Sequence, residues 1–354
     1  MKTILVTGGA GFVGSRLAMG ARTHFPETRV VALDNLKRRG SELNVPRLRA
    51  AGVEFLHGDI RQPADLEAVG PVDLIIECSA EPSVLAGHDG APDYVVHTNL
   101  TGTLHCLEYA RKRGAGLIFL STSRVYPMET IAGLRYRESE TRLELAPDQT
   151  VPGVSEHGFS EAFPLEGVRS LYGATKLCSE LMLQEYAAMY GLRSIVNRCG
   201  VITGPWQMGK VDQGVAVLWA ARHIYGGPLK YIGYGGQGKQ VRDLLHIDDL
   251  LQLVLYQIAH LDTLGGQTFN VGGGPEISAS LCEMTTLCQE FTGVRLDMAS
   301  EPANRAADIP LYLSDCRKVT QATGWKPQRT TAEIFRDIVD WIQSNKEALR
   351  PFLS

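Results

Sequence analysis

The 354-residue sequence is bounded first by what it lacks. It has no run of about 18 apolar residues, so no membrane-spanning helix and no membrane partner are expected. Its seven cysteines, at positions 78, 106, 178, 199, 282, 288 and 316, are odd in number, and none forms a Cys-x-x-Cys pair. That argues against a disulfide framework and for a reducing, cytoplasmic setting. Its nine histidines show no metal-ligand spacing, so no metal is expected. The first residues read as a strand rather than as a charged leader before an apolar stretch, so no signal peptide is expected. The net charge of −4 gives no basis for a nucleic-acid surface. No internal repeat or low-complexity segment is found. A hydrophobic content of 44% and a charged content of 21% are those of an ordinary globular enzyme. The length suffices for a large core and two packed lobes.

What is present is an alternation of short apolar runs and helical stretches over the first 200 residues. Ile4 to Val6, Val30 to Leu33, Val53 to Leu56, Val72 to Ile76, Leu117 to Leu120 and Ser194 to Val196 read as strands. This pattern predicts an α/β fold of Rossmann type, a doubly wound parallel sheet with a smaller C-terminal substrate-binding lobe. The domain built on this sheet is expected to comprise 1–199 plus about 241–275, and the second lobe about 200–240 and 276–354. On the helix near 92–113, Val96, Leu100, Leu104 and Leu107 form a stripe. On the helix near 171–190, Leu177 and Leu181 lie on one side and Cys178, Met182 and Met189 on another. Two apolar faces on the second helix fit one contact with the sheet and one with a second subunit, so a homodimer built on both helices is expected; deeper burial within a monomer is the alternative. Between Tyr126 and Tyr172 the pattern breaks into a long stretch with Glu138, Glu140, Glu144, Asp148 and several prolines and glycines, read as a functional loop. A helix is expected after Asp248-Asp249, and another near 331–345 with Ile334, Ile338, Trp341 and Ile342 on one face.

The chain opens with an apolar strand running into Gly8-Gly9-Ala10-Gly11-Phe12-Val13-Gly14. Gly8 suits the tight turn, Gly11 a close backbone approach to a pyrophosphate, and Gly14 the packing of a helix on the strand. The helix N-terminus then offers free N–H groups to phosphates. Asp34 lies 20 residues past Gly14, where a carboxylate accepts from an adenosine ribose and repels a 2′-phosphate, favouring NAD over NADP. Lys37, Arg38 and Arg39 read as a solvated basic loop, with selection of a 2′-phosphate as the alternative that weakens the choice of NAD. Asp59 is a candidate for the adenine amino group or, alternatively, an N-cap for the next helix. Asn99 is polar inside a helical pattern, with a core-satisfying amide as the competing reading.

Thr122 follows the apolar strand ending at Leu120, and a strand end is where this architecture places chemistry. In Tyr172-Gly-Ala-Thr-Lys176 a phenol lies four residues before an ammonium, on one helix face. A nearby cation stabilises phenolate, so Tyr172 can take a proton from a substrate hydroxyl while hydride leaves its carbon. Thr122 would hold the same oxygen.

In combination these residues resemble the extended short-chain dehydrogenase/reductase family over essentially the whole chain. The matched motifs are Thr7 to Gly14, Asp34, Gly58-Asp59-Ile60, Ser121-Thr122, Tyr172-x-x-x-Lys176, Val241-Arg242-Asp243-Leu-Leu-His246, Phe269-Asn-Val-Gly-Gly273, and Arg305 with Asp308. The resemblance implies NAD, a nucleotide-sugar substrate, and Arg242 and Arg305 near its phosphates. With it, the expected cofactor-binding residues are Gly8, Gly11, Phe12, Val13, Gly14, Asp34, Asn35, Asp59, Ile60, Ser79, Ala80, Asn99, Ser121, Tyr172 and Lys176. The expected catalytic residues are Thr122, Tyr172 and Lys176. The expected substrate-binding residues are Arg124, Cys199, Gln213, Arg242, Arg305 and Asp308.

Within the family, Tyr136-Arg-Glu-Ser-Glu-Thr-Arg142, Asp212-Gln213-Gly214 and Gly238-Lys-Gln-Val-Arg-Asp-Leu-Leu-His246 resemble the CDP-tyvelose (CDP-paratose) 2-epimerases. In that group C2 of the sugar is oxidised to a ketone and reduced again on the other face. The chain departs from that pattern at Cys199-Gly200, where His-Ser is usual, at Pro127, where Gly is usual, in Glu77-Cys-Ser-Ala-Glu81, and in the loop 159–167. Dehydratases of the family follow the Thr with Asp-Glu, and its sugar-acid decarboxylases carry Glu where this chain has Arg124. Here Ser123-Arg124 follow Thr122. An NAD-dependent nucleotide-sugar epimerase acting at C2 of a CDP-sugar is therefore expected. The alternatives are a UDP-sugar 4-epimerase, a reductase or dehydrogenase with net redox turnover, and a non-enzymatic dinucleotide sensor.

Overall fold

The computed structural model describes residues 1–88, 90–209 and 213–354. Eleven strands among the described residues make its two larger sheets: β1 (Thr3–Thr7), β2 (Arg29–Asp34), β3 (Glu54–His57), β4 (Leu74–Glu77), β5 (Gly116–Thr122), β6 (Ser194–Cys199), β7 (Val201–Thr203), β8 (Val241–His246), β9 (Gln267–Val271), β10 (Ser278–Ser280) and β11 (Leu311–Tyr312). The principal helices are α1 (Phe12–His24), α2 (Gly102–Arg113), α3 (Leu171–Tyr190), α4 (Val215–Tyr225), α5 (Ile247–Ala259), α6 (Leu281–Thr292) and α7 (Thr331–Ser344). The chain divides into two compact units.

The first unit comprises Met1–Val125, Ser170–Arg198 and Leu251–Phe269. Its seven-stranded sheet has the order β9-β6-β5-β4-β1-β2-β3, with β4, β1, β2 and β3 paired in parallel and β5 parallel to β4. β1, β4 and β5 are buried along their whole length, which is why they read as unbroken apolar runs rather than as alternating ones. On one face, Leu5, Val31, Ile75, Leu117 and Phe119 pack against Cys106, Leu107 and Ala110 of α2 and Leu183 of α3.

The helix expected near 92–113 is broken. Pro92–Val96 is followed by a π-helical turn, His97–Thr101, and only then by α2. The extra residue of a π turn rotates the helix that continues from it. The buried face therefore carries Val95, Asn99, Thr103, Cys106 and Leu107, while Val96, Leu100 and Leu104 stay half-buried. The reading of α3 is corrected too. Its fully buried positions are mostly polar — Thr175, Lys176, Ser179 and Glu180, with Gly173 and Leu183 — whereas Cys178, Leu181 and Met189 are exposed.

The second unit comprises Tyr126–Arg169, Cys199–Leu250 and Asn270–Ser354. It thus includes the stretch 126–169 and the residues 241–250 and 270–275 that the sequence division places in the NAD-binding domain. Its four-stranded sheet runs β7-β8-β10, with β11 also paired to β8. Helices α4, α6 and α7 pack on one another beside it. The stretch 126–169 carries structure of its own. It has a helical turn at Met128–Ala132, a hairpin of Tyr136–Glu138 with Leu143–Leu145, and a second of Val154–Ser155 with Gly158–Phe159. It is pinned by Phe159 and Phe163, which are fully buried with Tyr126 and Tyr312, their neighbouring ring centres 4.9 to 6.1 Å apart. Among the described residues no helix is long and apolar enough to cross a membrane, and no cluster of metal-ligating side chains is found.

Candidate active site

The glycine-rich turn is built by local geometry. Gly8 has φ +60°, which suits glycine, and Gly11 N–H donates to Gly8 O at 3.0 Å. A Cβ on Gly14 would lie 2.1 Å from Gly8 O, so α1 meets the strand at a distance no other residue allows. The first turn of α1 holds no acidic side chain. No carboxylate on the helix itself therefore repels an anion at this N-terminus.

Asp34 ends β2 beside this turn. Its Oδ2 accepts from Ala10 N–H at 3.0 Å and its Oδ1 from Leu36 N–H at 2.8 Å. Burial pushes the carboxyl up, and the N–H groups of Leu36, Ala10 and Gly11 oppose the rise. With three N–H groups on it, the carboxylate keeps acceptor capacity for one further donor. Asn35 donates through Nδ2 to Asp59 Oδ2 at 2.8 Å, so two of the expected residues meet. Asp59 is no N-cap: the next helix starts at Pro63 behind Gln62. Its carboxylate instead takes the Arg61 guanidinium, Nη2 to Oδ2 2.6 Å, and the Arg61 N–H. Burial works against ionisation there, but the Arg61 and Asn35 donors outweigh it and hold the group at about 2. Ile60 packs on Gly102, where a Cβ would stand 2.5 Å from Ile60 Cδ1.

Ser79 and Ala80 follow β4, and the Ser79 backbone lies against Gly8. Asn99, in the π turn, accepts from Glu81 N–H at 2.7 Å and donates to Glu81 O and Thr175 Oγ1 at 3.1 and 3.2 Å. Its amide thus ties the loop after β4 to α3, which is what a core-satisfying amide does.

Thr122 closes β5, and its Oγ1 accepts from Arg124 N–H at 3.1 Å within the 3₁₀ turn Ser123–Val125. The N-cap of α3 is Ser170, whose hydroxyl accepts from Gly173 N–H at 3.2 Å. A Cβ on Gly173 would lie 2.0 Å from Arg124 O. The glycine after Tyr172 therefore lets the first turn of α3 settle on the turn beyond Thr122. One turn further on, Lys176 is buried, with Nζ 3.5 Å from Glu77 Oε2 and 4.3 Å from the centre of the Phe119 ring. Ser121 donates to Glu180 Oε1 at 2.5 Å, and Glu180 is paired with Arg198. Sequence reasoning misses Glu180 and Arg198, and marks Glu77 only as a departure from the family pattern. Their only signal is a charge at the end of an apolar strand or one helical turn after Lys176.

In the second unit Arg242 and Asp308 meet, Nη2 to Oδ1 2.7 Å, and Arg242 also donates to Ile309 O and Val241 O. Arg305 is half-buried, and Cys199 is buried at the end of β6. Gln213 is half-buried; Asp212 lies outside the described residues. The segments 136–142 and 238–246 touch. Leu143 N–H donates to Lys239 O at 2.8 Å, Lys239 Nζ reaches Glu138 Oε1 at 2.7 Å, and Arg142 donates to Ser278 Oγ at 2.5 Å, where β10 lies against β8.

The sequence pattern of the NAD dependent epimerase/dehydratase family matches residues 4–272. A CDP-paratose 2-epimerase of Salmonella typhi is 30% identical over 96% of this chain and 99% of its own. A UDP-glucose 4-epimerase of Erwinia amylovora is 28% identical over 98% of this chain and 99% of its own. Among solved structures, the dTDP-glucose 4,6-dehydratase of Streptomyces venezuelae, as a double mutant with NAD bound, superposes with a TM-score of 0.80 at 27% identity, covering 99% of each chain. The Thermus thermophilus UDP-glucose 4-epimerase with NAD does so with a TM-score of 0.75 at 27% identity, covering 96% of this chain and 99% of its own. With the glycine turn, Asp34 and the Tyr172–Lys176 helix in place, this chain is an enzyme with NAD as its cofactor and belongs to the NAD-dependent epimerase/dehydratase family.

Proposed function

We propose that the enzyme inverts one hydroxyl-bearing carbon of a nucleotide-sugar, C2 of a CDP-sugar, by oxidising it to the ketone and reducing it again on the opposite face. The observation that carries this reading is the turn after Thr122. It holds Ser123, Arg124 and Val125, with no carboxylate to serve as acid or base for water loss. Thr122, Tyr172 and Lys176 then suffice to oxidise an alcohol and restore it.

NAD, when bound, supplies a hydride acceptor that later gives the hydride back. The glycine turn, the first amides of α1 and Asp34 would hold it. Tyr172 takes the proton of the sugar hydroxyl and later returns it, and the Lys176 ammonium stabilises the phenolate between the two events. Thr122 holds the reacting oxygen. Arg242, positioned by Asp308, and Arg305 anchor the diphosphate through charge-assisted hydrogen bonds while the keto-sugar turns its other face. Arg124, Cys199 and Gln213 are proposed to contact the sugar.

The choice of CDP is supported by the segments 136–142 and 238–246, which carry the likeness to CDP-sugar epimerases and form one cluster. A second reading, a UDP-sugar 4-epimerase, is favoured by the Erwinia amylovora relative. Incubation with CDP-, UDP-, GDP- and dTDP-sugars, with products read by NMR, decides between them. Epimerisation of CDP-paratose alone supports the first; turnover of UDP-glucose alone overturns it in favour of the second.

The active form is proposed to be a cytoplasmic homodimer formed through the helical segments near 92–113 and 171–190. Leu181, Met189 and Tyr190 on α3 are 52%, 66% and 51% exposed in the single chain, more apolar surface than a solvated helix face carries. Sedimentation as a monomer at micromolar concentration would contradict this.

A further inference from the structure

β4 ends in an acid where a strand buried on both faces would carry an apolar side chain. Ile75 faces the layer that holds Cys106, Leu107 and Leu183, and Glu77, two residues on, extends the same face. Its neighbours in register are Thr7 on β1 and Phe119 on β5. The Glu77 side chain is wholly buried, with Oε2 3.5 Å from Lys176 Nζ and Oε1 without a hydrogen-bond partner. The ammonium lies between this carboxylate and the face of the Phe119 ring. Burying a carboxylate carries a desolvation cost, which the facing Lys176 ammonium offsets. The charge this acid faces inside the fold is the Lys176 ammonium.

We infer that Glu77 is a positioning residue for the reaction: its carboxylate keeps Lys176 a fixed ammonium, one helical turn from Tyr172. The inference rests on the roles given to Tyr172 and Lys176 under the proposed function. A buried ammonium stripped of its counter-charge gives up its proton, and with it the stabilisation of phenolate. Burial drives the Glu77 carboxyl up, and Lys176, the Ser79 N–H and the Thr7 hydroxyl oppose that rise. The other titratable groups near the pair do not compete for this role. The Cys106 thiol on α2 is pushed well up by burial and by Glu77 and stays neutral. Glu180, one turn past Lys176, is committed to Arg198. Glu77 itself takes up no proton in the cycle, because epimerisation returns to the sugar the proton it removed.

The test compares full-length holoenzyme with Glu77→Gln and Glu77→Asp variants. The readout is the ultraviolet absorbance of the Tyr172 phenolate, isolated by subtracting the same pH titration of Tyr172→Phe backgrounds. The phenolate should appear about one pH unit or more higher in Glu77→Gln than in the wild type, with Glu77→Asp between them. On the nucleotide-sugar that is turned over, kcat of Glu77→Gln should fall about tenfold or more while KM and bound NAD stay unchanged. A phenolate that appears at the same or a lower pH in Glu77→Gln overturns the inference. Should the Gln variant not fold, Glu77→Asp decides alone, and a wild-type titration in it overturns the inference equally. Failure of the proposed function shows separately, as Tyr172→Phe retaining full turnover; the titration needs no substrate.

Discussion

Arg198 grips Glu180 with two nitrogens, Nη2 to Oε2 at 2.7 Å and Nε to the same oxygen at 3.0 Å, and both side chains are buried. The pair joins β6 to α3 four residues after Lys176, and Ser121 at the end of β5 completes it. It therefore fixes the helix that carries Tyr172 and Lys176 against the strand that carries Thr122. Removing one partner strands the other as an unpaired buried charge, at a cost of about 3–5 kcal/mol. Arg198→Met should lower the melting temperature by several degrees, and Arg198→Met with Glu180→Met should recover much of the loss. An Arg198→Met melting curve that overlays the wild type would contradict this account of α3.

Tyr172→Phe should lose about 100- to 10,000-fold in turnover while NAD remains bound, because the phenol is the proton acceptor assigned to the sugar hydroxyl. Turnover and bound nucleotide, released by denaturation, measure the two separately. Near wild-type turnover would remove Tyr172 from the mechanism.

Asp243 gives a pH dependence of stability. It is fully buried on β8 and accepts from Ser314 N–H at 3.1 Å, and burial raises it from 3.8 to about 6 against the hydrogen bonds of Ser314, Gly274 and Gly273. A carboxyl raised in the folded state stabilises it fully below its ordinary range, and that contribution is lost as the pH rises through about 6. Asp243→Asn cannot ionise and escapes this loss. Its melting temperature relative to the wild type should therefore be more favourable at pH 8 than at pH 4.5. A constant difference between the two pH values would show that Asp243 does not titrate as described.

The parts of this molecule that are legible in its sequence are those set by near neighbours. The turn Gly8 to Gly14, the strand ends at Asp34 and Thr122, and the i, i+4 pair Tyr172 and Lys176 are each fixed within a few residues. The stripe expected over residues 96–107 is displaced because a π turn at His97–Thr101 rotates α2, and no composition signal marks it. An apolar core face is the natural expectation for α3, because a buried helix face usually is apolar. Here it is polar because Glu180 meets Arg198, Thr175 meets Asn99 and Lys176 meets Glu77. The last of these joins residues 99 positions apart and is invisible to any local pattern. The stretch 126–169 gives no regular signal because its anchor Phe159, on which Phe163 packs, is stacked on Tyr312, far along the chain.

On the proposed mechanism one carbon of the sugar is oxidised and reduced by hydride, and its hydrogen never passes to solvent. Substrate deuterated at the inverted carbon, turned over in ordinary water, tests this most directly. The account predicts that the epimerised product keeps its deuterium at that carbon. Loss of the label to solvent would contradict it and point to deprotonation at carbon instead.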